Sequence, residues 1–564
     1  MSWQEIAKDK KDRIDAGIPP EWRLKSQPSE DNVMEYTNIG DVMSTDEISI
    51  TNSSATDLVA KMAKGELTSV EVTTAFCKRA ALAHQLLNCA LEFFPEMALA
   101  RAKELDEHYK KTGKTIGPLH GLPISLKDQF RIKVSCLFCV HQGLETSMGY
   151  ISWLGKYEDD DSILVKLLLK AGAVFYMKTS VPQSLMCCET INNIIGRTVN
   201  PYNKNWSCGG SSGGEGANIA FRGGIIGVGT DIGGSIRVPA AFNFLYGLRP
   251  SHGRLPYGKM ANSMEGQETL HSVCGPITHS VADMRLFVES VLAEEPWKFD
   301  AKVVPMPWRQ SEADVVKSRI SNDGLTIGYY DFDGKVLPHP PILRGIKKVV
   351  DTLKQNGHHV FEWKPYKHDH AQDLLNKIYS SDAGQLSPKL NNHKDIRTDL
   401  SKSGEPPIPN IADFANTTDA PLSLNEIWEI NLQRWAYQCE YLEQFRLMEE
   451  KLGREIDAIV APVAATAAIR HDRFMYYGYA NVINLLDFTS VVVPVLFADK
   501  GVDGRREGYE ELNEVDGVVQ GEYDPEAYHG APVAVQIIGR KLTEERIMEI
   551  AEEIGRLLGN EIVS

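Results

Sequence analysis

The sequence predicts an α/β fold in which a central mixed β-sheet is covered by helices on both faces. Two observations carry this prediction. Short apolar runs at 123–127, 173–177 and 225–228 have the length and composition of buried strands. Between them lie segments whose apolar residues recur every three or four positions, which is typical of helices. Alternation of these two patterns favours a sheet between helical layers.

The helices are predicted from their ends. Thr68 and Glu71 form a capping-box pattern at the start of one helix, and Pro95 suits the first turn of the next. Asp161 is predicted to cap a third helix, with Gly172 as its stop. Two further apolar runs, at 457–462 and 491–494, are expected to form late core strands.

The domain organisation is predicted from shifts in composition. Residues 1–54 are polar and charged and are expected to form an N-terminal helical arm, with one large domain over 55–564. Residues 300–450 are more polar and predict a subdomain, or insertions that cover the mouth of a site. The acidic stretch 500–527 is predicted to be an exposed loop.

The charge balance excludes some classes of partner. The 564 residues include 60 Lys and Arg against 76 Asp and Glu, a formal net charge of −16. Such a surface disfavours nucleic acid and anionic membranes as partners. The nine cysteines are odd in number and scattered, unlike a disulfide framework. The beginning of the chain lacks the apolar core of a signal peptide, so a cytoplasmic protein is expected.

Two glycine-rich segments, 208–216 and 227–237, are the most unusual feature. A phosphate loop is disfavoured because neither segment supplies the lysine of the Gly-Lys-Ser/Thr ending. Glycines that only permit tight turns would leave the repeated serines unexplained. A catalytic role explains both, because the stretch from Gly233 to Ser235 offers unhindered backbone N–H groups around a hydroxyl. Those groups suit attack on a carbonyl and stabilisation of an oxyanion.

These segments resemble the amidase signature family. The resemblance rests on two motifs, Gly-Gly-Ser-Ser-Gly-Gly at 209–214 and Gly-Thr-Asp-Ile-Gly-Gly-Ser-Ile-Arg at 229–237. Ser211 and Ser235 are 24 positions apart. The segments at 121–128 and 530–540 resemble a lysine-bearing strand and a closing segment of that family. Within the family the chain is most similar to acetamidases of filamentous fungi. The resemblance spans about residues 55–558.

The resemblance implies a role for each matching residue. Ser235 is the expected nucleophile, Lys127 the base, and Ser211 the serine that bridges them and follows a cis peptide bond. The remaining expected site residues are backbone donors or substrate contacts, Ile232, Gly233, Gly234, Ser211 and Leu185, and supporting residues, Asp231, Arg237 and Ser212. No metal or cofactor is required, and His120 and His529 are expected to be structural or at a pocket rim.

Cysteines elsewhere have less specific interpretations. Cys136 and Cys139 with His141 lack a second pair of ligands at zinc spacing, and Cys187 and Cys188 suit core packing. The first group lies in 134–142, a segment by which the chain departs from the family pattern. We interpret it as a tolerated loop or as an artefact of gene prediction, and it bears on whether this chain is active.

The predicted function is hydrolysis of small carboxylic amides, acetamide being the implied substrate, to carboxylate and ammonia. The alternatives are the same fold acting on aryl, fatty or carbamate-like substrates, an amidotransferase subunit that delivers ammonia to a partner, and an inactive scaffold. The expected partners are the amide and water, without nucleic acid or membrane, and self-association is left open.

Overall fold

The computed structural model describes residues 1–34, 36–133, 143–383, 396–417 and 420–559. The segment 134–142, with Cys136, Cys139 and His141, lies outside the described residues. The strands are, in chain order, β1 (Ala90–Phe93), β2 (Pro123–Lys127), β3 (Val174–Thr179), β4 (Ile191–Asn192), β5 (Gly196–Arg197), β6 (Val199–Asn200), β7 (Asn203–Ser207), β8 (Ile226–Asp231), β9 (Tyr246–Arg249), β10 (Val273–Thr278), β11 (Thr326–Tyr329), β12 (His359–Glu362), β13 (Ala458–Pro462), β14 (Thr489–Phe497) and β15 (Pro532–Gly539).

The α-helices lie between and around these strands. They are α1 (Trp3–Ala16), α2 (Thr45–Asn52), α3 (Ala55–Lys64), α4 (Ser69–Leu87), α5 (Pro95–Thr112), α6 (Ile163–Lys170), α7 (Gly213–Ala220), α8 (Arg237–Phe242), α9 (Val281–Ala293), α10 (Gln310–Asn322), α11 (Pro340–Gln355), α12 (His368–Tyr379), α13 (Ile396–Ser403), α14 (Ala412–Asn416), α15 (Leu424–Leu452), α16 (Gly478–Leu486), α17 (Glu514–Glu522) and α18 (Glu544–Leu558). Within the described residues, none is long and apolar enough to cross a bilayer.

In the described part of the chain, eleven strands form one mixed sheet in the order β1-β3-β2-β8-β10-β9-β14-β15-β13-β11-β12. Strand β2 pairs in parallel with both β3 and β8, whereas β10 pairs antiparallel with β8 and β9. Every residue of β2, β3, β8 and β10 is buried. Burial on both faces explains why these strands read as continuous apolar runs. The predicted fold class is confirmed.

Most of the local predictions are confirmed. Thr68 and Glu71 form the capping box of α4, and Pro95 opens α5. The prediction for Asp161 is wrong, because α6 begins at Ile163 with Ser162 in the N-cap position. The Asp161 carboxylate instead accepts a hydrogen bond from the backbone N–H of Lys133 at 2.7 Å.

The acidic stretch at 500–527 is not wholly a loop, since it contains helix α17. The Asn513 side chain accepts a hydrogen bond from the backbone N–H of Asp516 and so caps the helix. Asp516 is fully buried, where its carboxylate accepts from the hydroxyl of Tyr509 at 2.7 Å. The acidic composition of the stretch predicts a loop, and it indicates neither the Asn513 cap nor the Tyr509–Asp516 contact that stabilises the helix.

The N-terminal residues lie against the body of the domain. Lys10 of α1 is buried, and its Nζ donates to Glu92 at 2.6 Å and to Glu145 at 2.7 Å. Burial opposes the charge on Lys10, but the two carboxylates outweigh it and raise its pKa. The polar region at 300–450 contributes α12, whose Tyr379 reaches the candidate site, and strands β11 and β12, of which β12 is the edge of the sheet.

Candidate active site

The site lies where two adjacent parallel strands end. Lys127 is the last residue of β2 and Asp231 the last of β8, and these strands are in register through Leu126 and Val228. Because parallel strands present their carboxyl ends at one edge of a sheet, the lysine and the turn that follows β8 meet there. Such an edge is the usual position of a site in an α/β protein.

Lys127 is completely buried and contacts two hydroxyls. Its Nζ lies 2.7 Å from the Oγ of Ser211 and 2.7 Å from the Oγ1 of Thr230. The Thr230 hydroxyl donates in turn to the Oε1 of Gln129 at 2.7 Å. Because Thr230 uses its proton on Gln129, it can only accept from Lys127. The peptide bond between Gly210 and Ser211 is cis.

Burial also controls the charge on Lys127. Loss of water around the ammonium group lowers the pKa of Lys127 to about 7, although Asp231, Cys188 and Glu215 act in the opposite direction. A lysine with that pKa is largely neutral in mildly alkaline solution. Its nitrogen lone pair is then available to accept a proton.

The turn from 231 to 237 is held by a buried carboxylate. Asp231 accepts hydrogen bonds from the backbone N–H groups of Gly234 at 2.9 Å and Ile236 at 3.1 Å. The guanidinium of Arg237 contacts both oxygens of the same carboxylate at 3.1 Å. Burial would favour the neutral acid, but Arg237 and Asn484 prevail and hold the pKa of Asp231 well below its usual range. The turn is therefore fixed around a permanent anion.

Only glycine fits at position 234. Its φ is +116°, and a Cβ there would lie 2.7 Å from the Cβ of Ala480. Its N–H is already donated to Asp231. The family resemblance assigns this N–H to the oxyanion. Because it is already engaged by Asp231, we do not count Gly234 among the oxyanion donors.

Ser235 lies between two cavities, with only 6% of its surface exposed. Its carbonyl accepts a hydrogen bond from the N–H of Ser212 at 3.2 Å, which joins the two serine-bearing segments. The first cavity also contacts Ser211, Thr230 and Gln129, and the second contacts Gly233 and Tyr379. Each cavity has a volume of about 260 Å³.

The remaining predicted site residues lie close to these groups. Leu185 and Ile232 line both cavities, and Leu185 has a φ of +67°. A non-glycine residue in that region of backbone space is strained, a feature common at binding sites. Ser212 is fully buried, and its Oγ accepts from the N–H of Thr230 at 3.3 Å. The structure therefore brings together all the predicted site residues.

The other candidates are separate from this constellation. The Nδ1 of buried His120 accepts from the N–H of Ile116 at 3.1 Å, and the side chain of His529 is half exposed. Neither lines the two cavities. Cys187 and Cys188 are buried, as expected for packing, but they also line the second cavity. In the described ranges, no group of three His, Cys, Asp or Glu side chains is placed to hold a metal ion.

Several contacts of the site were missed in the sequence. Gln129 is buried and contacts Thr230; its position two residues after Lys127 was the signal available in the sequence. Tyr379 and Asn481 come from distant helices, and nothing in their local sequence marks them. The hydroxyl of Tyr379 donates to the carbonyl of Ile232 at 2.8 Å. Only the tertiary structure brings that side chain to the turn after β8.

Comparison with known proteins gives consistent results. The family model described as Amidase matches residues 71–548. The chain is 64% identical to an acetamidase of Emericella nidulans over 560 residues and 60% identical to an acetamidase of Aspergillus oryzae over 559 residues, with 99% of each chain covered in both cases.

A solved structure of fatty acid amide hydrolase superposes with a TM-score of 0.89 at 33% identity, covering 99% of this chain and 95% of the other. A bacterial aryl acylamidase of the amidase signature family shares the fold at a TM-score of 0.66 and 21% identity, over 90% of this chain and 96% of the other. The strand-edge site and these similarities lead to one conclusion: the chain belongs to the amidase family and is an amide hydrolase.

Proposed function

We propose that the protein hydrolyses small carboxylic amides, of which acetamide is the model substrate, to carboxylate and ammonia through an acyl-enzyme on Ser235. The observation that carries the proposal is the position of the buried Lys127 Nζ between the hydroxyls of Ser211 and Thr230. The Thr230 hydroxyl is oriented by Gln129 to accept from Lys127. The lone pair of a neutral Lys127 is thereby left for the proton of Ser211.

The first half-reaction forms the acyl-enzyme. Neutral Lys127 takes a proton from Ser211 as Ser211 takes the proton of Ser235. The Oγ of Ser235 bonds to the amide carbon, and negative charge develops on the carbonyl oxygen. We assign stabilisation of that oxygen to the backbone N–H groups of Ile232, Gly233 and Ser235. Collapse breaks the C–N bond, and Lys127 returns its proton through Ser211 to the departing nitrogen, which leaves as ammonia.

The second half-reaction releases the acid. Water gives a proton to Lys127 through Ser211 while its oxygen bonds to the acyl carbon. The bond to Ser235 then breaks and its oxygen recovers a proton from the same relay. Asp231 and Arg237 act by holding the turn that carries the donors and the nucleophile.

Two observations support a small substrate. Each of the two cavities beside Ser235 has a volume of about 260 Å³, which accommodates an amide of a few heavy atoms. The two relatives that are 60–64% identical are both named acetamidase.

The buried free thiols, such as Cys77 and Cys274, suit a reducing compartment. We therefore propose a cytoplasmic enzyme that supplies nitrogen or carbon from small amides.

A second candidate substrate class is the long-chain amides, favoured by the TM-score of 0.89 with fatty acid amide hydrolase. Ammonia release should be measured with acetamide, propionamide, benzamide and a long-chain amide, with the Ser235→Ala variant as the control. We expect the largest kcat/KM for acetamide or propionamide. A larger value for the long-chain amide would contradict the proposed substrate, and turnover by the variant would contradict the proposed nucleophile.

A further inference from the structure

The second cavity beside Ser235 is largely apolar, but one part of its wall carries carboxamide side chains. Among the residues that line it are four with carboxamide side chains: Gln372, Asn376, Asn410 and Asn481. Gln372 and Asn376 lie on α12 and Asn481 on α16. An alkyl group alone in this cavity would leave any unpaired carboxamide oxygen on the wall without a hydrogen-bond partner, which is destabilising.

Hydrogen bonds orient the carboxamide of Asn481. Its Nδ2 donates to the Oε1 of Gln372 at 3.2 Å, and the Nε2 of Gln372 donates to the Oδ1 of Asn376 at 3.0 Å. Asn481 is only 2% exposed, and its Oδ1 has no hydrogen-bond partner among the described residues. The Oδ1 of Asn410, on the same cavity wall, is likewise buried without a partner there.

The side chain of Asn481 lies next to Gly233, in the turn that carries Ser235. A Cβ built on Gly233 would lie 4.0 Å from the Cβ of Asn481 and 2.7 Å from the Tyr379 hydroxyl. Tyr379 has already donated its proton to the carbonyl of Ile232. The wall opposite Gly233 therefore offers hydrogen-bond acceptors in the carboxamide oxygens.

We propose that the Oδ1 of Asn481, together with that of Asn410, forms an acceptor subsite for an N–H or O–H donor of the substrate held at Ser235. This inference rests on the proposed function and adds a specificity determinant to it. The donor has two possible sources with the same chemistry. One is the –NH₂ of the scissile carboxamide itself, and the other is a hydroxyl on the carbon next to the carbonyl.

Two substrate pairs distinguish these sources. Acetamide and methyl acetate share an acyl group, but only the amide has an N–H donor. Glycolamide and propionamide are similar in size, but only glycolamide has a hydroxyl on the acyl group. The kcat/KM ratio within each pair should be measured for the wild type and for Asn481→Leu, which removes the acceptor at similar volume.

A hydrogen bond of this kind contributes roughly 0.5–1.5 kcal/mol, so we expect Asn481→Leu to lower one ratio about tenfold or somewhat less. Loss in the first pair assigns the subsite to the scissile amide, and loss in the second assigns it to an acyl hydroxyl. Asn410→Leu, on the same cavity wall, should lower the same ratio by a smaller factor. It also provides a readout if Asn481→Leu does not fold.

Asn218→Leu is the matched control. The Oδ1 of Asn218 is also buried without a partner among the described residues, but Asn218 lines neither cavity. The inference is overturned if both ratios are unchanged in Asn481→Leu and Asn410→Leu, or if Asn218→Leu changes them equally. Covalent labelling of Ser235 by a serine-directed probe is followed in parallel. Labelling with unchanged ratios refutes only the subsite, whereas absence of labelling in the wild type refutes the proposed function.

Discussion

The Nζ of Lys127 and the Oγ of Ser211 lie 2.7 Å apart although the residues are separated by 84 positions in the chain. The contact depends on two structural facts. Strand β2 ends at Lys127 beside β8, and the segment bearing Ser211 is joined to Ser235 through the N–H of Ser212.

Ser235→Ala is expected to abolish turnover while the fold is retained, because the acyl-enzyme cannot form. Loss of a catalytic nucleophile normally costs several orders of magnitude in kcat. Ammonia release, circular dichroism and covalent labelling by a serine-directed probe should be compared with the wild type. More than about a hundredth of the wild-type rate would refute the assignment.

The activity of the wild type should rise with pH through about 7, because the lysine must lose its proton to act as a base and burial lowers the pKa of Lys127 to about 7. Lys127→Ala should lose most activity near neutral pH and less in alkaline solution, where hydroxide replaces the base. The measurement is kcat/KM for acetamide from pH 5.5 to about 9.5. A flat wild-type profile would contradict a lysine base.

The same burial should make Lys127 unfavourable for stability. The pKa of Lys127 is about 7 in the folded protein and 10.5 for a lysine in water, as in the unfolded chain. Between these values the unfolded chain binds more protons, so the contribution of Lys127 to stability improves as pH rises. Lys127→Met should therefore raise Tm most below pH 7, and the gain should narrow toward pH 10.

The exposed Lys111 provides the control Lys111→Met, whose effect on Tm should be small at every pH. Tm is measured for the three proteins at intervals from pH 6 to about 9.5. A gain for Lys127→Met that is the same at all pH values would show that packing rather than charge is responsible.

Asp231→Asn should be destabilising and should also lower kcat. Asp231 and Arg237 are fully buried, and removal of one partner of a buried ion pair costs about 3–5 kcal/mol. The turn that carries Ser235 also loses its fixed anion. Urea unfolding and ammonia release measure the two effects. Glu440→Gln removes the carboxylate of the half-exposed pair with Lys367 and should cost much less, because water screens exposed ion pairs; equal losses would contradict the argument.

Deletion of residues 134–142 should leave the chain at least as stable. The segment Val-Ser-Cys-Leu-Phe-Cys-Val-His-Gln is mostly apolar and lacks glycine or proline. Exposure of its large side chains would forgo about 1.5–3 kcal/mol of burial for each, and inward packing would crowd a close-packed core. Tm and specific activity toward acetamide are compared for both chains. Substantial loss of both on deletion would show that the segment is integral.

The sequence was most informative where local pattern and local structure coincide. The capping box at Thr68 and the apolar run that forms the strand ending at Lys127 are visible in consecutive residues, and both were predictable. Asp161 was misassigned because its carboxylate is used by the distant N–H of Lys133. Asn481 could not be identified, because its significance arises only when α16 packs beside the turn after β8.

The N-terminal helix α1 also determines how the protein can be shortened or tagged. Lys10 supplies the buried cation for Glu92 and Glu145. A variant that starts after this helix would leave two carboxylates facing a low-dielectric environment without their countercharge. Trimming for expression or crystallisation should therefore spare α1, and an affinity tag should be added ahead of Met1 rather than in place of the helix.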